Sequence, residues 1–89
     1  MRTIVSVIGK DSVGIISKVS GICNECNANI VDITQSVLKD YFAMIMLVEL
    51  EGLKVDFATF ADNMSSAGKE NGVDIRVMHE DIFNSMHRI

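Results

Sequence analysis

The chain is predicted to fold as an α+β sandwich, with a four-stranded antiparallel sheet, two helices on one face and a short C-terminal helix. Three observations predict it. Hydrophobic periodicity changes along the chain in the order strand, helix, strand, strand, helix, strand. The two strands which that order places in the centre are apolar on both faces. The length of 89 residues suits one domain and is too short for two, so residues 1–89 are taken as one unit. A chain of this size buries only about 60% of the surface its unfolded form exposes, so burial against a second copy adds usefully to a thin stability margin.

Residues 2–9 are rich in β-branched side chains and predict a strand. Ile4 and Ile8 face opposite to Val5 and Val7. Residues 14–26 predict a helix, because Ile15, Ile16, Val19, Ile22, Cys23 and Cys26 form one helical stripe. Asp11 or Ser12 supplies an N-cap oxygen. Gly21 costs this helix roughly 1 kcal/mol relative to Ala, which predicts close approach of another element there. Residues 29–38 alternate, with Val31, Ile33 and Val37 on one face and Asp32, Thr34 and Ser36 on the other. Residues 41–50 are apolar on both faces. Lys39-Asp40 between these two strands reads as a hairpin turn of about two residues.

Residues 54–70 predict a second helix, whose stripe is Phe57, Phe60, Ala61, Met64 and Ala67 and whose stop is Gly72. Residues 73–79 alternate again, with Val73, Ile75 and Val77 inward. Residues 80–88 form a short terminal helix with the stripe Ile82, Phe83, Met86 and Ile89. This is the split βαβ, ferredoxin-like order βαββαβ. Right-handed crossovers put the first and third strands in the middle of the sheet. Both helices then pack on one face. The other face is left with large apolar side chains, either Phe42/Met44/Met46/Val48 or Ala43/Ile45/Leu47, and an uncovered set of that kind marks an interface.

Bulk composition narrows the function. Hydrophobic residues make up 48% and charged residues 22%, which is globular rather than disordered. No apolar run reaches the roughly 18 residues a membrane span needs. The apolar N-terminal stretch is interrupted by Ser6 and followed by Lys10 and Asp11, so it does not read as a signal peptide, and a cytoplasmic location is expected. A net charge of -4 with scattered Lys and Arg argues against a nucleic-acid partner.

The most informative segment is the turn Gly9-Lys10-Asp11-Ser12-Val13-Gly14-Ile15. A strand enters it and a helix leaves it. Its glycines let backbone approach a ligand, and the free amides at the helix start favour a carboxylate. Lys10 and Asp11 offer one charge of each sign, the complements of an amino-acid zwitterion. The same turn also serves as a plain capped connection. It has neither the dinucleotide-binding nor the P-loop glycine spacing. Asn29, Asp32, Thr34 and Gln35 add polar groups along the second strand, where a solvated face is the simpler reading unless Asn29-Ile30 lies against the turn.

Cys23-Asn24-Glu25-Cys26 is a Cys-x-x-Cys motif that raises thiol-redox or metal chemistry. Reactive pairs sit at a helix N-terminus, whereas these lie in closing turns on the apolar stripe, so buried inert thiols are favoured. His79 and His87 belong to no nucleophile-base set. No catalytic constellation emerges, and no metal or cofactor is expected.

Val7-Ile8-Gly9-Lys10-Asp11-Ser12-Val13-Gly14-Ile15 resembles the opening of ACT domains, Gly-x-Asp-x-x-Gly-Ile/Val, and Asn29-Ile30-Val31-Asp32-Ile33-Thr34-Gln35 resembles their second-strand signature. The likeness covers essentially the whole chain and is greatest to small free-standing ACT proteins, similar to the ACT modules of the glycine cleavage system regulator. It implies the same βαββαβ fold. It also implies a non-catalytic regulatory module binding an amino acid at a homodimer interface. The ligand residues carried over are Gly9, Lys10, Asp11, Ser12, Gly14 and Ile15, with Asn29, Ile30, Asp32 and Ile33. A regulated target is then a separate protein. A rival expectation is an interaction module that docks an enzyme or regulator through its apolar sheet face or terminal helix, without a small ligand.

Overall fold

The structure, a computed structural model, describes residues 1–10 and 14–86. Its elements are β1 (Arg2–Gly9), α1 (Ile15–Cys26), β2 (Asn29–Leu38), β3 (Tyr41–Glu49), α2 (Phe57–Asn71), β4 (Asp74–His79) and α3 (Glu80–Met86). The sheet order is β2-β3-β1-β4, and every neighbouring pair is antiparallel. The central pair is therefore β1 and β3, as the two-faced apolar strands require.

Pleating sorts these strands into two faces. Val5 and Val7 on β1 sit opposite Met46 and Met44 on β3. Together with Phe42 and Val48 they join Ile15, Val19, Ile22 and Cys23 of α1 and Phe60, Met64 and Ala67 of α2 in one core. The set left on the other face is thus Ala43, Ile45 and Leu47. The terminal helix of the same chain covers part of that face: Phe83 and Met86 of α3 lie beside Ile4, Ser6, Ile8, Ile45 and Met78. None of α3 is fully buried, and Ile82 and Met86 are exposed, so the described part of the expected stripe does not form a core face; His87 and Ile89 lie outside the described residues.

Two differences from the periodicity have local causes. In β2 the register slips between Ile30 and Asp32. A bulge places an extra residue, Val31, in the strand and bends it. The helices cover the middle of the sheet, so Val31, Ile33 and Val37 at its edge are exposed. In α1, nothing lies within 4 Å of a Cβ built on Gly21. The predicted close approach is instead at Gly68 of α2, where a Cβ meets the carbonyl oxygen of Val73 at 2.8 Å.

Helix α2 starts at an N-cap absent from the sequence reading. The Asp56 carboxylate accepts the Thr59 N–H at 2.9 Å. Hydrogen bonds from the Thr59 side chain and backbone hold its pKa below the ordinary value of 3.8. A depressed carboxyl stabilises the fold above its ordinary pKa and stops doing so as pH falls through the lower folded value. Asp56→Ala is expected to lower the thermal midpoint at neutral pH, and Asp56→Asn to retain most of it, because the amide oxygen caps as well. The Asp-to-Asn difference should shrink in melts run progressively below pH 3.8. Gly72 ends the helix with φ 68, as anticipated.

Candidate functional site

Strand β1 delivers Gly9 to one end of the sheet, opposite Phe42. Lys10 follows, with its Nζ 5.6 Å from the centre of the exposed Tyr41 ring. On the far side of the turn Gly14 takes the left-handed conformation, φ 77 and ψ -12, at the N-cap of α1. Glycine has no side-chain oxygen to cap with, and the cap oxygens the sequence offers are those of Asp11 and Ser12. Those two expected ligand residues lie outside the described residues. The Gly14 carbonyl accepts the Lys18 N–H at 3.0 Å. Ile15 is buried in the core, so it anchors the turn more than it lines a surface.

The second half of the predicted site is elsewhere. Asn29 pairs with Glu49, and Glu49 pairs with Arg2. Asn29 and Ile30 therefore stand at the opposite end of the sheet from Gly9, seven strand residues away. At the usual rise that is roughly 23 Å. Asp32 accepts its neighbour Ile33's N–H at 2.9 Å, close to the bulge, and both side chains are exposed. One chain does not bring the turn and the start of β2 together.

The two cysteines are buried in α1 and unbonded to each other. Burial, and secondarily Cys26, pushes the Cys23 thiol up from 9.0 to about 11. The fold therefore favours the neutral thiol, which neither attacks nor ligates. Alkylating reagents are expected to leave Cys23 unmodified in the native protein at neutral pH and to label it on unfolding. A thiol whose pKa is raised by folding costs nothing below the unfolded value. Native stability should fall as pH rises from 9 towards about 11, and Cys23→Ala should remove that fall. Among the described residues, no group of three or more His, Cys, Asp and Glu is placed to hold a metal ion. No helix among them is long and apolar enough to cross a membrane.

Periodicity did not reveal a hollow beside β4. Met1, Phe57, Val77, Met78, His79 and Ile82 line it. His79 is the last residue of β4. Its Nδ1 accepts the Asp81 N–H at 3.0 Å, so it helps start α3. Only side chains brought together from four parts of the chain form this hollow, so no local signal marks it.

The model of the ACT domain matches residues 2–78. The chain belongs to the ACT domain family. A UPF0237 protein of Methanocaldococcus jannaschii is 52% identical over 88 residues, spanning 99% of this chain and 98% of that protein. An ACT domain protein from Streptococcus pneumoniae superposes with a TM-score of 0.80 at 37% identity, covering 93% of each chain. A putative glycine cleavage system transcriptional repressor shares the fold at TM-score 0.70 and 17% identity, over 85% of this chain and 43% of that one. This ACT domain thus carries the βαββαβ sheet order that its sequence predicted.

Proposed function

We propose that this ACT domain is a non-catalytic regulatory module that binds an amino acid or a similar small metabolite between two copies of the chain. One observation carries the reading: the two halves of the site stand at opposite ends of one sheet, and the strand bearing the second half is an unpaired edge. β2 runs for ten residues with no strand neighbour beyond it among the described residues. Val31, Ile33 and Val37 are exposed on it, and it carries no proline and only one charged residue, Asp32. Such an edge invites another strand.

Antiparallel pairing of β2 with its copy, with the two-fold axis at Gln35, sets Ile33 against the partner subunit's Val37 and Thr34 against the partner subunit's Ser36. Each pair shares a face, so the apolar residues meet on the helix side. The same pairing reverses the partner's strand. It carries the partner subunit's Asn29 to the end where Gly9 and Gly14 open their turn. Lys10 there supplies a cation for a carboxylate, and the first amides of α1 supply N–H donors.

Isothermal titration of the common amino acids, with light scattering to read the assembly, tests this. A dimer that binds one of them saturably is expected. Gly14→Val should abolish that binding while a dimer persists, because a β-branched residue does not adopt φ 77 cheaply. Val37→Lys should yield a monomer that does not bind. A folded dimer with no binding at millimolar ligand overturns the reading, and so does a Val37→Lys monomer that binds as the parent does.

A further inference from the structure

The hollow at β4 lies at the end of the sheet where Thr3 pairs with His79, away from the turn at Gly9. Its volume is about 600 Å³, within the range of about 300–1,000 Å³ typical of ligand sites. β4 is the terminal strand of the sheet, so one side of its backbone lacks a strand neighbour among the described residues. Phe57 at the start of α2 and Ile82 of α3 are both exposed and flank its last residues. An open strand edge running into an apolar hollow is the arrangement in which an extended peptide adds a strand and seats one side chain.

The charges around the hollow select among peptides. The Met1 ammonium bonds Glu49 at 2.9 Å, and Arg2 bonds Glu80 at 2.9 Å. Each of these cations is matched by its own carboxylate. Asp56, next to Phe57, and Asp81, next to Ile82, belong to neither pair, and Asp56 also caps α2. Asp81 has 86% of its side chain exposed and contacts only the His79 ring, at 3.7 Å, among these charged groups. The hollow is therefore apolar in its lining, with a carboxylate one residue away from each of Phe57 and Ile82.

We infer that the β4 edge and its hollow dock an extended segment of a separate protein, one that carries a large aliphatic residue with Lys or Arg beside it. Main-chain hydrogen bonds to β4 hold the segment. Its aliphatic side chain fills the space between Phe57 and Ile82, and its basic residues meet Asp56 and Asp81. An anionic membrane surface is disfavoured by the same carboxylates and by the net charge of -4.

Amide NMR titration of the full chain with the probe acetyl-Lys-Val-Leu-Val-Arg-amide tests this. Saturable shifts confined to Val77–Ile82 and Phe57 are expected, and acetyl-Glu-Val-Leu-Val-Glu-amide should bind at least tenfold more weakly. Asp81→Lys should weaken the basic probe and strengthen the acidic one, with an unchanged circular dichroism spectrum. Ile82→Asn should weaken both probes. The inference is overturned by an absence of saturable shifts, by equal response to the two probes, or by shifts at β2 instead. It is also overturned if the β4 amides broaden with protein concentration alone, which would make a second copy the occupant. The reading of β2 as the subunit interface concerns the opposite sheet edge, so either can fail without the other.

Discussion

Phe60→Ala is expected to remove most of the stability of this domain. Phe60 is the largest of the fully buried side chains, with no measurable exposure, and it lies in α2 within the single core cluster. Truncating a buried phenylalanine costs about 3–5 kcal/mol, from lost transfer energy and from the cavity left behind. A chain of this length has a total stability on the order of 5–10 kcal/mol. Urea unfolding should show a large drop in midpoint with an unchanged slope, or no folded baseline at all. Phe60→Leu should retain most of the stability, because most of the volume remains. A loss below about 1 kcal/mol for the alanine variant would contradict the placement of Phe60 at the centre of the core.

Gly68→Ala and Gly21→Ala are expected to act with opposite signs. Both replace glycine inside a helix, where alanine is intrinsically better by roughly 1 kcal/mol. At Gly21 nothing lies within 4 Å of the new Cβ, so the propensity gain should appear in the unfolding free energy. At Gly68 the Cβ meets the Val73 carbonyl oxygen at 2.8 Å and the Ile75 backbone nitrogen at 3.2 Å. Backbone cannot rotate aside as a side chain can. The Gly68 carbonyl also accepts the Val73 N–H at 2.9 Å, so the two segments are tied at this point. Overpacking of this kind costs about 1–3 kcal/mol and should outweigh the propensity gain. Hydrogen exchange should show faster opening of the β4 amides in Gly68→Ala. Equal effects of the two substitutions would show that α2 does not press on β4 here.

The glycine pair also shows where sequence reasoning stops. Gly21 stands out in the sequence as a costly residue inside a helix, yet it faces open space. Gly68 raised no signal, and it is the one pressed against β4. The N-cap of α2 escapes the sequence pattern in the same way. Helix α2 is capped by Asp56, two residues inside the predicted helix of 54–70. Cap identity depends on which residue first turns into helical geometry, and periodicity locates that point only to within a few residues.

The sequence by itself determined the element order, the fold class and the central position of β1 and β3. Those follow from hydrophobic period and from the handedness of crossovers, both of which are written locally. It also located the Gly9–Ile15 turn and the Asn29 strand start as the family's two motifs. Only the tertiary structure decided that these motifs stand at opposite ends of the sheet, that α3 covers part of the open face, and that the edge of β2 keeps apolar residues in solvent. Each of those depends on which strands are neighbours and how far the helices reach across them. Residues far apart in the chain settle such questions jointly, so no local pattern records the answer.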